Sequence, residues 1–328
     1  MHDDLLQLIP RLADVRLVVV GDVFLDEYLV GRVERVSREA PIPVLEFRRR
    51  FTLSGGSANP AHTAVSLAAQ VCLIGLVGAD AAAAELRDRL TQSGITDCLV
   101  EDGGRCTTVK TRVLAEGTLV FPQQVARLDR LSRLPAQGEV EDTLIRGLER
   151  VIPNVDAILV SDYKTGVVTE GVVEACRRAA HTHGKLLAVD SQGDLPKFHG
   201  FDLIRAGARD AAASLGRSLE GEDDFEKATR ELVADLGARV VAIGRAEEGL
   251  SVAWDGAYAH LPAINQTEVY DVTGAGDTQA ATLTLALAAG GSPLQAAALG
   301  NYAAGLVIRK LGNAVPTPEE LRWAIEHW

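Results

Sequence analysis

Aromatic residues make up only 5% of this 328-residue sequence, it has one methionine, and cysteine occurs four times. The cysteines (Cys72, Cys98, Cys106 and Cys176) show no CxxC spacing and no accompanying His pair. That sets aside a zinc ribbon or a thioredoxin-type motif, and reads instead as reduced thiols of a cytoplasmic protein. Positive charge is also short: 33 Lys and Arg against 45 Asp and Glu leave a net charge of −12. Nucleic acid and anionic membrane are therefore not expected partners, although a local basic pocket for a phosphate is compatible with this balance. No apolar run reaches the length of a membrane span. The N-terminal "MHDDLLQLIPRLADVRLVVVG" lacks the basic start and apolar core of a signal peptide. Two nucleotide signatures are missing as well. There is no GxxxxGK(S/T), and the first strand-like run ends "VVVGDVFLD" where a dinucleotide-binding fold would show GxGxxG.

What is present is apolar mass, 47% of the residues, mostly Ala, Val and Leu. Short strand-like runs at 16–22, 71–78, 157–162, 186–191 and 239–245 alternate with helical patterns near 57–69, 80–93, 139–151, 168–183 and 224–236. All-apolar strands separated by amphipathic helices predict an α/β domain whose parallel sheet is covered on both faces. Two segments break the rhythm. Residues 28–51, with Pro41 and Pro43, and residues 107–129 alternate apolar with charged side chains. Alternation implies one exposed face, so these segments predict a small separate sheet acting as a lid or a dimer surface. Helices near 275–290, 293–309 and 317–327 close the chain, punctuated by "GGS" and "LGNAVPTPEE".

Candidate chemistry gathers at "YDVTGAGDT" (270–278), between a segment read as extended (261–271) and a helix starting near Ala275. Gly274 and Gly276 permit backbone shapes that a side chain forbids. With Ala275 they put free N–H groups and the positive end of a helix dipole in one place, which suits a phosphate. Asp277 follows at once. A carboxylate beside an anion hole is poorly suited to hold phosphate and well suited to take a proton from an attacking hydroxyl. A plain Gly-rich turn explains the stretch about as well. Asp22 and Asp26 fall at the carboxyl end of the first strand, where open α/β sheets place ligands. "SGGSANPAHT" (54–63) adds Gly55, Gly56 and Asn59. Singly these are ordinary cap or turn residues; together they read as a polyol pocket facing a phosphate-transfer corner.

"SGGSAN" and "DVTGAGD", at their distances from the termini, resemble the two signatures of the ribokinase-like (PfkB) carbohydrate kinases. Within that family, "VVVGDVFLDEYLVGRVERVSREAPIPVL", "LVSDYKTGVVT", "YDVTGAGDTQAATLTLALAAG" and "KLGNAVPTPEEL" are most similar to the D-glycero-β-D-manno-heptose 7-phosphate kinases, and the resemblance spans nearly the whole chain. It implies a three-layer α/β/α domain over 1–328 with a β-sheet lid, without the nucleotidyltransferase domain that accompanies this kinase in many bacteria. It also implies ATP- and Mg²⁺-dependent phosphorylation of a sugar or sugar phosphate, and a homodimer formed through the lid. Asp277 would be the base, Gly274, Ala275 and Gly276 the anion hole, and Asp26, Gly55, Gly56 and Asn59 the sugar site. Arg245, Glu248 and Gly249 would fall in the ATP loop, with Asn301 and Ala304 near the adenine. Asp271 and Thr273 match positions that bind a monovalent cation such as K⁺ in some members.

This sequence departs from the family in three places. In "LIRAGARDAAASLG" (203–216) the Asn and Glu of the Mg²⁺-ordering Asn-x-x-Glu motif become Gly207 and Asp210. Thr165 replaces a lysine, with Lys164 one place earlier, and Gln192 replaces another. Arg205, Arg209 and Lys164 are candidates to compensate, and equally ordinary surface charges. The sequence thus leaves open a heptose-phosphate kinase, a kinase of a free sugar or nucleoside, and a catalytically weak ligand-binding relative.

Overall fold

In the computed structural model of the chain, residues 2–117, 122–264, 269, 271–310 and 312–328 are described. The chain begins with α1 (His2–Leu8), β1 (Arg16–Gly21), the long β2 (Val23–Val36) and β3 (Pro43–Gly56), and α2 (Ala58–Ser66). There follow β4 (Gln70–Ile74), β5 (Leu76–Val77), α3 (Ala81–Gln92), β6 (Thr96–Asp97), β7 (Val100–Glu101), β8 (Val109–Glu116) and β9 (Gln123–Arg130). The alternation then runs α4 (Glu139–Val151), β10 (Ala157–Asp162), α5 (Glu170–His183), β11 (Leu186–Ser191), β12 (Leu203–Gly207), α6 (Ala208–Leu215), α7 (Gly221–Leu236) and β13 (Val240–Gly244). A hairpin of β14 (Leu250–Trp254) and β15 (Ala257–Leu261) precedes α8 (Ala275–Ala288), α9 (Pro293–Val307) and α10 (Pro318–His327).

These elements form a nine-stranded sheet in the order β15-β14-β13-β12-β11-β10-β1-β4-β6, parallel from β6 to β13 and antiparallel at the β14–β15 edge. Strand β1 shows why both faces are covered. Its Leu17 and Val19 enter one apolar core, with residues of α1, α2, α3, α8, α9 and α10. Val18 and Val20 enter a second core with residues of α4, α5 and α7. Successive strand side chains point to opposite faces, so an unbroken apolar strand needs helices on both. Helix α8 is apolar nearly all round and buried from Asp277 to Ala286, packed on α2, α9 and strands β10 to β12. Ser292 and Thr317 cap α9 and α10 with reciprocal capping boxes, each with a proline in the first turn, as the sequence punctuation predicts.

The two interrupting segments form a four-stranded sheet, β3-β2-β8-β9, with β2 and β8 parallel at its centre. It is larger than the sequence suggests. Strand β2 starts at Val23, directly after Asp22, so Asp26 belongs to this lid and not to the end of β1. Of the segment 107–129, residues 118–121 lie outside the described residues. Of the extended run expected over 261–271, residues 262–264, 269 and 271 lie outside any strand. The strand there is β15, which ends at Leu261. Tyr270 and residues 265–268 lie outside the described residues. Strand β12 escapes a periodicity reading because its five residues, LIRAG, carry an arginine and end in glycine.

Candidate active site

The parallel strands β1, β10, β11 and β12 deliver their carboxyl ends to one edge of the sheet, beneath the lid. There a cavity of about 470 Å³ is lined by Asp26 and Phe24 from β2, Lys110 and Arg112 from β8, Tyr163, Asp190, Arg205, and Gly274, Gly276 and Asp277 of the α8 entry, among others. A larger open groove, about 910 Å³, lies beside Arg177, Lys185 and Arg239, where strands β11 and β13 begin. Ligands of open α/β sheets bind at the carboxyl ends, so the cavity under the lid is the candidate site.

Asp277 is 6% exposed in the first turn of α8. The Tyr163 hydroxyl donates to its Oδ1 at 2.5 Å, and Asn59 Nδ2 donates to its Oδ2 at 3.0 Å. Burial, reinforced by the neighbouring Asp190 carboxylate, pushes its pKa up to about 7, while Tyr163, Asn59 and Arg205 pull the other way. That places it where a general base at neutral pH is most effective. Gly274 caps the helix in the left-handed region, at φ 77°, a conformation that costs a side chain energy and glycine nothing. Geometry leaves the first-turn N–H groups of α8 without i−4 carbonyl partners. The N–H of Ala275 donates to Val272 O at 3.3 Å.

The Gly-Gly pair acts by absence. A Cβ on Gly55 would lie 2.1 Å from Asp26 Oδ2, and one on Gly56, at φ 64°, would lie 2.3 Å from Asp22 O. Gly55 therefore makes room for the Asp26 carboxylate, and Gly56 lines the cavity. Asp26 accepts from Arg112 Nη1 at 2.5 Å and from Asn313 Nδ2 at 3.3 Å. Two amide oxygens, Asn59 Oδ1 and Asn313 Oδ1, are buried and have no hydrogen-bond partner among the described residues. Both side chains line the cavity. Buried acceptors without donors are costly, and hydroxyl groups of a ligand would satisfy them.

Other expected residues are placed elsewhere. Asp22 is fully buried and does not line the cavity: Oδ2 accepts from the N–H of Tyr163 and Thr165 at 2.8 and 3.1 Å, and Oδ1 from Val167 N at 3.1 Å. It clamps the loop that carries Tyr163, which is a positioning task. Burial nevertheless pushes its pKa up, against those donors. Arg245 binds Glu222 and Glu248 and covers the Phe225 ring at 4.1 Å. A Cβ on Gly249, at φ 99°, would meet Leu261 O at 2.1 Å, so this glycine lets the β14–β15 hairpin close. Asn301 donates to Pro262 O at 2.7 Å. None of Arg245, Glu248, Gly249, Asn301 and Ala304 lines the cavity. Asp271 takes the N–H groups of Thr273 and Gly312, both at 2.9 Å, and so shapes the loop in which Thr273 lines the cavity. No group of three or more His, Cys, Asp or Glu that could hold a metal occurs among the described residues. Asp190 and Asp210 do line the cavity, and burial pushes Asp210 up despite Lys164 nearby. One or two carboxylates are what Mg²⁺ takes from protein when phosphates supply its other ligands.

Residues that the sequence reading passed over complete the site. Lys110 lies 3.6 Å from the Phe24 ring centroid, and burial pushes its pKa down. Its neighbour on the same strand face, Arg112, reaches Asp26. Both sat in plain view in "TTVKTRVL", where an alternating lid strand puts every second side chain on one face. Tyr163 lies in "LVSDYKTGVVT" and Asp190 in the strand-like run 186–191, but only folding brings them to Asp277. Of the three expected compensating cations, Arg205 and Arg209 line the cavity and Lys164 does not.

The pfkB family of carbohydrate kinases matches residues 15–320. The bifunctional protein HldE of Paramagnetospirillum magneticum is 36% identical over 97% of this chain, and that of Caulobacter vibrioides is 39% identical over 97%. The chain spans 64 to 65% of the length of these relatives. Among solved structures, phosphofructokinase-2 of Escherichia coli in complex with potassium superposes with a TM-score of 0.76 at 19% identity, covering 95% of this chain and 99% of that one. Arabidopsis thaliana ribokinase complexed with ribose and ATP gives 0.76 at 18% identity, covering 96% and 99%. The fold is accordingly ribokinase-like, and the chain belongs to the pfkB family of carbohydrate kinases.

Proposed function

We propose that this kinase transfers the γ-phosphoryl group of ATP to a hydroxyl of a sugar phosphate of the heptose 7-phosphate type. The observation that carries the proposal is a single cavity with Asp277 at its base, two unpartnered amide oxygens on its wall and the Lys110 and Arg112 cations in its roof. Sugar hydroxyls donate to Asn59, Asn313 and Asp26. Asp277 accepts the proton of the attacking hydroxyl, held in position by Tyr163 and Asn59. The first turn of α8 receives the charge of the moving phosphoryl group through its N–H groups. Asp190 and Asp210 are the residues that would hold Mg²⁺, which neutralises phosphate charge when bound with the nucleotide. Lys110 and Arg112 face a second, distal phosphate, in place of the lysines that Thr165 and Gln192 replace.

The relatives named HldE, at 36 to 39% identity, support the heptose reading. The test is ADP release with heptose 7-phosphate against free hexoses, pentoses and nucleosides. A preference of tenfold or more for the sugar phosphate is expected. The opposite preference would overturn this substrate and leave the kinase standing. ATP binding without turnover on any of these acceptors would instead favour a weakly catalytic relative.

The lid also exposes Val36, Phe47 and Leu128, which are 67%, 65% and 70% exposed. Edge strands β3 and β9 and these side chains form the surface by which two copies pair.

A further inference from the structure

Strand β12 carries an arginine that lines the cavity beside α8. Arg205 is paired in register with Asp190 on β11, and its Nη1 donates to Asp190 Oδ1 at 3.0 Å. Its Nε donates to Gln279 Oε1 at 3.2 Å, one turn inside α8. Nη2 makes no hydrogen bond to protein among the described residues. It faces two glycines: a Cβ built on Gly244 would lie 2.7 Å from Nη2, and one on Gly276 would lie 2.7 Å from Nη1 and 3.0 Å from Nη2. The guanidinium therefore rests against Gly276 in the first turn of α8, held from two sides and with donors left over.

The same strand explains how it gets there. Arg205 and Gly207 are two residues apart in β12 and share one face of it, and both line the cavity. The position that resembles the family's Asn holds no side chain, and a Cβ there would meet Asp210 Oδ2 at 3.3 Å, while the arginine two residues earlier turns towards α8. Asp190, Asp210 and Asp277 all line the cavity, and Arg205 is one of the cations there, with Arg209, Lys110 and Arg112, that offset their repulsion of a polyphosphate.

We propose that Arg205 is a catalytic residue that binds the non-bridging oxygens of the phosphoryl group in flight, with Asp190 and Gln279 as its holders. The inference rests on the kinase reading above, but not on the identity of the sugar. In the step it serves, the acceptor oxygen forms its bond to the γ-phosphorus as the bond from phosphorus to the β,γ-bridging oxygen breaks. ADP leaves with that electron pair, and the hydroxyl proton passes to Asp277. Arg205 stays protonated throughout and offsets charge on the transferring group, by the fork geometry that suits guanidinium to phosphate.

The test uses the whole chain, calorimetric affinities for ADP and for the non-hydrolysable ATP analogue AMP-PNP, and turnover on whichever acceptor proves best. Arg205→Gln is expected to lower kcat by on the order of 10²–10³-fold and to weaken AMP-PNP by tenfold or more, while ADP affinity changes less than threefold. Arg205→Lys, which keeps the charge, should recover part of both losses, and it carries the test if the glutamine variant fails to fold. The double variant Asp190→Asn, Arg205→Gln separates direct contact from simple neutralisation of Asp190. It remains as slow as Arg205→Gln if the arginine touches the phosphoryl group. A kcat in the double variant tenfold or more above that of Arg205→Gln would overturn the proposal, as would unchanged AMP-PNP affinity in Arg205→Gln. Failure of the wild-type chain to bind either nucleotide would overturn the kinase reading itself.

Discussion

The floor of the cavity and its roof use similar residues, carboxylates and cations, but hold them in opposite ways. On the floor, Asp277 sits in the first turn of a buried helix, and Asp22, fully buried, fixes the loop of its partner Tyr163 through backbone N–H groups. On the roof, Asp26, Lys110 and Arg112 ride on a four-stranded sheet whose other residues include the exposed Val36, Phe47 and Leu128. Burial on the floor raises a pKa to where proton transfer is efficient, at the expense of desolvating a charge. On the roof, Asp26 is buried but ion-paired to Arg112, so its charge is compensated by a partner. On the proposed function, the chemistry falls to the sheet edge and recognition to the lid.

The strongest way to break that division is at the floor. Asp277→Asn should leave folding and nucleotide binding nearly intact and lower turnover about 10²–10⁴-fold, the usual worth of positioned proton transfer. Wild-type turnover in this variant would remove Asp277 from the base role.

The roof should respond by substrate, not by rate. Lys110→Ala or Arg112→Ala should lower kcat/KM for a sugar phosphate about ten- to a hundredfold, since a charge-assisted contact contributes about 1.5–3 kcal/mol. With a free sugar the loss should be much smaller. Equal losses on both kinds of substrate would mean that these cations serve the fold or the transfer step, not a distal phosphate.

A pH profile sharpens the floor further. With Asp277 raised to about 7, kcat/KM should fall tenfold per pH unit below that value, because only the ionised carboxylate accepts a proton. Asp190→Asn removes the negative neighbour and should move the midpoint to lower pH. The stability sign is the reverse of that for an ion-paired carboxylate. A folded-state pKa above the unfolded one means that the native state binds more protons between the two values, so this residue's contribution weakens as pH rises through that window. The melting gain of Asp277→Asn over wild type should therefore be larger at pH 8 than at pH 5. An equal gain at both would place its ionisation outside that range.

The smallest effect is expected at the outer lid. Val36→Asp with Leu128→Asp should convert a dimer to a monomer by light scattering at micromolar concentration while the melting temperature changes by only a few degrees. A wild-type chain that is already monomeric would exclude the lid as a pairing surface.

Much of the fold was legible because its signals are local. The all-apolar runs of β1, β10 and β11 demanded two covered faces, and Ser292 and Thr317 announced their helices through side-chain chemistry within one turn. β12, β14 and β15 were not legible, being five residues each with polar or small interruptions. The glycine stretch and the bare carboxylates likewise marked the site. The sequence by itself therefore determined the α/β alternation, the lid as a separate alternating sheet, and Asp277 at a helix entry as the candidate base. Only the tertiary structure decided which carboxylates face the cavity. Asp22 and Asp26 are four residues apart, yet one is consumed by backbone N–H groups and the other opens on the lid's inner face. It also decided that Arg205, Tyr163, Asp190 and Lys110 converge on one cavity. Spacing along a chain fixes the face of a strand or helix, but pairing between distant strands fixes which faces meet, and burial at that meeting sets the charge each group carries.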